Sequence, residues 1–153
     1  MYRNMKKWFE DMVASPVKKP LPILAFPAVS LMGVTVRELI SDSTLQSRGM
    51  KLVCDRTDSA ASVSYMDLSV EAECFGSEIR VSDNEVPTVI GSIVKSEADA
   101  EALAVPPVGS GRTGNYLDSV KKALELITDR PVFSGMIGPF SLAGRLMGVS
   151  EAM

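Results

Sequence analysis

Histidine is absent from this 153-residue chain. Its absence removes the side chain that most often serves as a general base near neutral pH and most often binds metal ions. The sequence has only two cysteines, and they lack the Cys-x-x-Cys spacing of a metal or redox motif. We therefore expect reduced thiols and no bound metal in this chain, including at a site made from the candidate ligands Cys54, Cys74, Glu71, Glu73 and Glu78.

Positive charge is also scarce, with 16 Lys and Arg against 19 Asp and Glu and a net charge of -3. Nucleic acids and anionic membranes are bound by clustered basic residues, whereas here they form isolated pairs such as Lys6-Lys7 and Lys18-Lys19. The most apolar stretch, Pro20 to Val34, is interrupted by prolines and is too short to span a bilayer. No secretory signal is recognisable at the start of the chain. The sequence predicts a cytoplasmic protein that binds neither nucleic acid nor membrane.

Apolar residues make up 46% of the chain, which is typical of a globular protein. Three apolar runs are predicted as strands: Leu21 to Phe26, Ser62 to Asp67 and Val132 to Ile137. Long, partly helical connections separate them, which favours adjacent parallel strands with their carboxyl ends on one side. The predicted class is α/β.

Helix patterns fill the connections. An amphipathic helix is predicted to follow Asn4, and a helical region from Val34 to about Asp58 is predicted to break near Ser41 to Ser43. The remaining predicted elements are helices Val70 to Phe75 (closed by Gly76), Ser96 to Leu103, Asn115 to Thr128 and one begun by Pro139, with short extended pieces around Pro87 between Ser77 and Ile93.

Three parallel strands leave open sheet edges, and a closed (β/α)8 barrel needs about 250 residues. We therefore expect residues 1–153 to be the amino-terminal portion of a single TIM-type barrel domain, holding an amino-terminal helix and about three βα units. On this interpretation the chain stops at Met153 inside its last helix. The uncovered edges and helix faces predict self-association, most simply as a dimer.

The carboxyl ends of barrel strands are where active-site residues collect. Asp67 closes the second predicted strand and is therefore the candidate catalytic residue. Its alternative role is the N-cap of the helix that follows. At the same rim, Gly138, Pro139 and Phe140 are candidate substrate contacts, with a tight strand-to-helix turn as the alternative, and Phe26 is a candidate pocket wall.

A glycine-rich segment, Gly109 to Gly114, matches the G-x-G-x-x-G pattern of a phosphate-binding loop and opens a helix. A dinucleotide site requires such glycines directly after a buried strand. Here they follow Ala104-Val105-Pro106-Pro107, so a flexible loop leading into the helix is the favoured interpretation.

Motifs along nearly the whole chain resemble the amino-terminal part of the uroporphyrinogen decarboxylase superfamily, most closely its cobamide-dependent methyltransferase branch. The most specific is Ile137-Gly138-Pro139-Phe140-Ser141-Leu142-Ala143. The others are a lysine-rich first helix before Pro20-Leu21-Pro22-Ile23, the strand end Tyr65-Met66-Asp67-Leu68 with Glu71-Ala72 and Phe75-Gly76 after it, and Gly111-Arg112 before the long helix.

This resemblance implies a TIM-type barrel and places Asp67 at the position of the decarboxylases' aspartate, which gathers pyrrole N–H groups. True decarboxylases also carry an arginine-bearing motif after the first strand that holds the substrate's acidic side chains. The corresponding stretch here, residues 26–31, has no arginine. The absence of this arginine favours methyl transfer from a methylcorrinoid protein to a thiol such as coenzyme M. Uroporphyrinogen decarboxylation is the alternative.

In the methyltransferase branch, the resemblance further implies a zinc ion held by a His-x-Cys pair and a later cysteine, and a corrinoid carried by a partner protein. A chain without histidine cannot hold that zinc site. We therefore expect no cofactor in this chain and no activity from it alone, whatever the parent enzyme does. A non-catalytic half-barrel that assembles with another chain is the remaining alternative.

Overall fold

The computed structural model describes residues 3–23 and 25–153. They form eight helices and four short strands. The elements are α1 (Met5–Ala14), α2 (Ala28–Met32), α3 (Val36–Ser41), α4 (Ser43–Arg56), β1 (Ser62–Val63), α5 (Val70–Cys74), β2 (Glu78–Arg80), β3 (Thr88–Ile90), α6 (Glu97–Glu101), α7 (Arg112–Leu126), β4 (Val132–Phe133) and α8 (Pro139–Met147). The strands make two two-stranded sheets, β1–β4 and β2–β3.

Strands β1 and β4 pair in parallel, with Ser62 opposite Val132 and Val63 opposite Phe133. This confirms the parallel pairing of the second and third predicted strands, although both are shorter than predicted. Beyond this pair, the backbone nitrogen of Gly135 donates to the Ser64 hydroxyl at 2.8 Å, and this side-chain bond takes the place of a backbone ladder bond. The ladder ends at this point. The chain beyond each strand is therefore free to diverge and line a cavity.

The predicted strand Leu21 to Phe26 is wrong for the residues that the structure describes, and Leu24 lies outside them. Residues 21–23 and 25 are irregular, and Phe26 begins the turn into α2. Prolines at positions 20 and 22 remove two backbone donors that a sheet ladder would need. Leu21 and Ile23 are 47% and 64% exposed, so the run is not covered on both faces. Among the described residues, the backbone nitrogen of Ala60 donates to the carbonyl of Pro20 at 2.8 Å, which links the start of this run to the segment before β1.

Most predicted helices form where the pattern placed them. The break between α3 and α4 falls at Asp42, whose carboxylate caps α4 by accepting from the backbone nitrogens of Thr44 and Leu45. Gly76 follows α5 with a φ of 99°, a conformation that favours glycine. The extended pieces around Pro87 form the antiparallel hairpin β2–β3. The last helix ends at Met147 and is capped by Gly148, so the prediction that the chain stops inside that helix is wrong.

Two hydrophobic cores hold these elements. The first lies between α4, α7 and β1, and its buried residues include Leu39, Met50, Tyr65, Ala123 and Ile127. The second joins α5 to α8 and is built on Ala72, Val94 and Leu146. Tyr65, just after β1, belongs to the first core, and Ala72 of α5 belongs to the second.

Helix α1 has the predicted amphipathic pattern but little cover. Trp8 packs against Phe133, with ring centroids 5.7 Å apart. Phe9 and Val13, on the same face, are 63% and 61% exposed. Within the described residues, every helix falls short of the length and apolarity needed to cross a bilayer.

We predict that the exposed face of α1 drives self-association of the chain, because clustered exposed apolar side chains find cover. Replacing Phe9 with serine should shift the association equilibrium toward monomer in sedimentation-velocity measurements over a dilution series. The control is Glu10→Ser, an exposed position on the same helix. A wild-type chain that stays monomeric at high concentration would contradict the prediction.

Candidate functional site

A cavity of about 420 Å³ lies at the carboxyl ends of β1 and β4. Its wall combines the segment after β1, one face of α5, the loop before α7, the start of α7 and the segment after β4. Most of the side chains on it are apolar, among them Met66, Leu68, Val108, Met136 and Ile137. Two carboxylates, Asp67 and Glu71, interrupt this apolar wall.

Asp67 has a fully buried side chain, and four donors surround it. Its Oδ1 accepts from the backbone nitrogen of Ser69 at 3.0 Å and from the Ser69 hydroxyl at 2.5 Å. Its Oδ2 accepts from Arg112 Nη1 at 2.6 Å and from the Tyr116 hydroxyl at 2.9 Å. A carboxylate offers about four acceptor sites, so these bonds use its capacity. In this arrangement, Asp67 has no acceptor left for a ligand.

The alternative role predicted for Asp67 is the N-cap of the following helix, and the structure shows a related arrangement two residues earlier. The N-cap residue of α5 is Ser69, whose own side chain makes no capping bond. Asp67 instead accepts from the Ser69 backbone nitrogen two residues on, which is an Asx turn leading into the helix. The catalytic assignment of Asp67 stays a prediction, and its bonds give it a positioning role in this structure.

Arg112 connects Asp67 to α5. Its Nε donates to Glu73 Oε2 at 2.5 Å and its Nη2 to the Ser69 hydroxyl at 3.1 Å, in addition to the bond to Asp67. Burial by itself would lower the pKa of Arg112, but the hydrogen bonds and charges of Asp67 and Glu73 raise it overall. The guanidinium therefore stays charged and holds two carboxylates at once.

The glycine-rich segment is what delivers Arg112 to this position. Gly111, immediately before it, has a φ of 52°, in the left-handed region that favours glycine. A Cβ at Gly114 would lie 2.8 Å from the carbonyl oxygen of Gly109, so the loop closes tightly on itself. The residues directly before it, 103–107, are irregular and form no buried strand. Its pattern of glycines is explained by this turn into α7.

Tyr116 lies one helical turn beyond Arg112 and lines the cavity. Burial raises the pKa of its hydroxyl, and the neighbouring negative charge of Asp67 raises it further. The hydroxyl consequently stays protonated and donates to Asp67. In the sequence, Tyr116 only falls within the predicted helix Asn115 to Thr128, because nothing in the pattern reveals a partner 49 residues away.

The candidate substrate contacts do not line this cavity. Phe26 packs edge-on against Tyr65 in the first core, with ring centroids 5.3 Å apart. Gly138, Pro139 and Phe140 are exposed and form the start of α8. The tight strand-to-helix turn, proposed as the alternative for these three, is present. Their roles as substrate contacts stay predictions.

Glu71 differs from Asp67 in its hydrogen bonding. Its Oε1 accepts from the backbone nitrogen of Ile137 at 3.1 Å, which ties α5 to the segment after β4. Its Oε2 is buried and has no hydrogen-bond partner among the described residues. The sequence indicated Glu71 as a rejected metal ligand and as part of a family motif. It did not indicate the position of Glu71 beside the cavity, which depends on how α5 packs.

The cysteines do not converge on a metal site. Cys54 is buried in the first core, whereas Cys74 lines the cavity and its Sγ donates to the carbonyl of Ser110 at 3.0 Å. Across residues 3–23 and 25–153, no three His, Cys, Asp or Glu side chains gather closely enough to hold a metal ion.

Comparison with known proteins identifies the family. The model of the uroporphyrinogen decarboxylase (URO-D) family matches residues 25–153. The chain belongs to the uroporphyrinogen decarboxylase family. Two curated relatives, the methylcobamide:CoM methyltransferases MtbA of Methanosarcina acetivorans and Methanosarcina mazei, are each 38% identical to it over 84 residues. The resemblance to the cobamide-dependent methyltransferase branch is thus confirmed.

A solved structure shares the fold. The chain superposes on a methyltransferase from Methanosarcina mazei with a TM-score of 0.77 and 24% identity, over 95% of this chain and 46% of that one. The α/β class is confirmed by this likeness, and the fold is of the URO-D type. The match to the two curated relatives spans 54% of this chain and 25% of each relative's length.

Two tyrosines that line the cavity, Tyr65 and Tyr116, give a matched test of hydrogen bonding. Tyr116→Phe removes a donor from Asp67 and should lower the free energy of unfolding by about 1–3 kcal/mol, because Asp67 is left buried with an unmet acceptor. Tyr65→Phe should cost less than about 0.5 kcal/mol or stabilise, since the buried Tyr65 hydroxyl has no hydrogen-bond partner in residues 3–23 and 25–153. Urea denaturation of both variants checks this, and equal losses would contradict it.

A second pair of variants tests the ion pair. Arg112→Met leaves Asp67 buried without its counter-charge and should destabilise the chain by about 3–5 kcal/mol. Arg37→Met breaks the exposed ion pair with Asp83 and should cost at most about 1 kcal/mol. Thermal and urea unfolding measure both, and a small effect at Arg112 would show that the network is dispensable.

Proposed function

We propose that this chain forms the strand-end cavity of a corrinoid-dependent methyltransferase, which moves a methyl group from a methylcorrinoid protein to a thiol such as coenzyme M. Two relatives in its family are named methylcobamide:CoM methyltransferases. The match covers 25% of each relative's length. The activity of the whole protein is therefore part of the proposal.

The observation that carries the proposal is the chemistry of the cavity wall. None of the residues lining it in the described part of the chain is basic. A carboxylated tetrapyrrole needs positive partners for its acidic side chains, which such a wall does not supply. The stretch of residues 26–31 contains no arginine either. An apolar wall is suited to a macrocycle whose periphery consists of neutral amides and methyl groups.

In the reaction, the thiolate sulfur attacks the cobalt-bound methyl carbon. The carbon–sulfur bond forms, the cobalt–carbon bond breaks, and its electron pair stays on cobalt. The side chains of Met66, Met136 and Ile137 in this chain exclude water from the reacting sulfur and methyl carbon. The Arg112–Asp67–Tyr116 network holds the wall in place, and Glu71 holds the backbone of Ile137.

Zinc, which the methyltransferase branch uses to activate the thiol, does not fit the residues present. The sequence has no histidine, and its two cysteines lie in different parts of the fold. Zinc ligands and the acceptor thiol's site would have to come from residues outside this sequence. We accordingly propose that the chain alone is inactive and that other barrel elements, together with a corrinoid-carrying partner protein, complete the enzyme.

A comparison of two ligands tests the proposal. The chain should bind methylcobinamide, a free corrinoid with amide side chains, more tightly than coproporphyrin III, a carboxylated tetrapyrrole. Absorbance titration of each ligand at fixed ionic strength measures the two dissociation constants. Tighter binding of the porphyrin would favour the decarboxylase alternative. Binding of neither ligand would favour the half-barrel assembly role, for which the exposed apolar face of α1 is the supporting observation.

A further inference from the structure

The charges around the cavity are unevenly distributed. Asp67 and Glu71 are on its wall and Glu73 lies behind it, whereas Arg112 is the basic residue that contacts two of these three carboxylates. Arg112 is committed to Asp67 and Glu73, and its side chain is 14% exposed. Glu71 has no basic partner among the hydrogen bonds and ion pairs of the described residues. Its charge therefore acts on whatever occupies the cavity.

The position of Glu71 makes that charge effective. One carboxylate oxygen is fixed by the backbone nitrogen of Ile137, and the other is buried without a partner. The surrounding wall is mostly apolar, so solvent screens the charge less than it would on an open surface. A cation in the cavity gains from this charge and an anion is repelled.

We propose that the charge of Glu71 makes this cavity the subsite for the methyl donor and excludes the anionic acceptor thiol from it. The proposal rests on the proposed function and adds the division of the two substrates. A methylcorrinoid without its nucleotide base carries one net positive charge, because Co(III) outweighs the ring and the methyl carbanion together. A thiol such as coenzyme M carries a sulfonate, and the wall offers it no cation.

The same charge distinguishes the methylated donor from the spent one. When the methyl group leaves and its bonding electron pair stays on cobalt, the macrocycle becomes Co(I) and neutral. The attraction to Glu71 is then lost. The cavity should thus bind the methylated corrinoid more tightly than the demethylated product, which favours release of the product.

The test compares a cationic and a neutral ligand that share the same amide periphery, methylcobinamide and dicyanocobinamide. Glu71→Gln removes the charge, while its Oε1 can still accept from Ile137. Isothermal titration calorimetry on the full chain should show the dissociation constant of methylcobinamide rising about tenfold and that of dicyanocobinamide unchanged. The control Glu125→Gln, an exposed position on α7, should change neither. In the wild type, 2-mercaptoethanesulfonate should not compete with methylcobinamide.

Three results would overturn the inference while leaving the proposed function standing. These are equal weakening of both corrinoids by Glu71→Gln, no change in either, and competition by 2-mercaptoethanesulfonate. Failure of the wild type to bind any corrinoid would overturn the proposed function as well. If Glu71→Gln does not fold, the wild type alone gives the test: methylcobinamide should bind about tenfold more tightly than dicyanocobinamide. Equal dissociation constants for the two ligands would then overturn the inference.

Discussion

The ion pair between Arg112 and Asp67 is the interaction on which the site depends. It joins the segment after β1 to the first residue of α7, and through Glu73 and Ser69 it also reaches α5. A buried carboxylate is costly unless charge and hydrogen bonds compensate it, and here Arg112, Tyr116 and Ser69 do so together. Three elements are thereby fixed around the mouth of β1, and the cavity takes its shape from them.

Two carboxylates at one cavity have opposite environments. Asp67 is surrounded by donors, so it serves to position its neighbours. Among the described residues, Glu71 accepts one hydrogen bond, from the backbone nitrogen of Ile137, and its second oxygen is buried without a partner. The difference between the two carboxylates follows from packing. Helix α7 supplies Arg112 and Tyr116 as donors to Asp67, whereas Glu71 contacts the backbone after β4.

Turn chemistry accounts for much of the local architecture. Gly111 allows the left-handed backbone that brings Arg112 to α5, and Gly76 ends α5 in the same region of backbone space. The prolines at positions 20 and 22 oppose regular structure, because they lack the backbone N–H groups that the expected strand would need for its hydrogen bonds. In the described part of this irregular segment, the carbonyl of Pro20 accepts a backbone hydrogen bond from Ala60, just before β1.

Local patterns in the sequence determined most of the helices, several of their caps and the parallel pairing of two strands, because periodicity, capping side chains and glycine placement act within a few residues. Helix α2 (Ala28–Met32) was not predicted. The family was also legible, from motifs such as the one at residues 137–143. The cavity lies at the strand ends, where the sequence predicts that site residues collect. Tertiary structure decided which acid is saturated and which is open, since that depends on Arg112 and Tyr116 meeting Asp67 across more than 40 residues. It also decided that residues 21–23 form no strand. An apolar run shows that burial is favourable, but only the packed fold shows whether a neighbouring strand is there to pair with it.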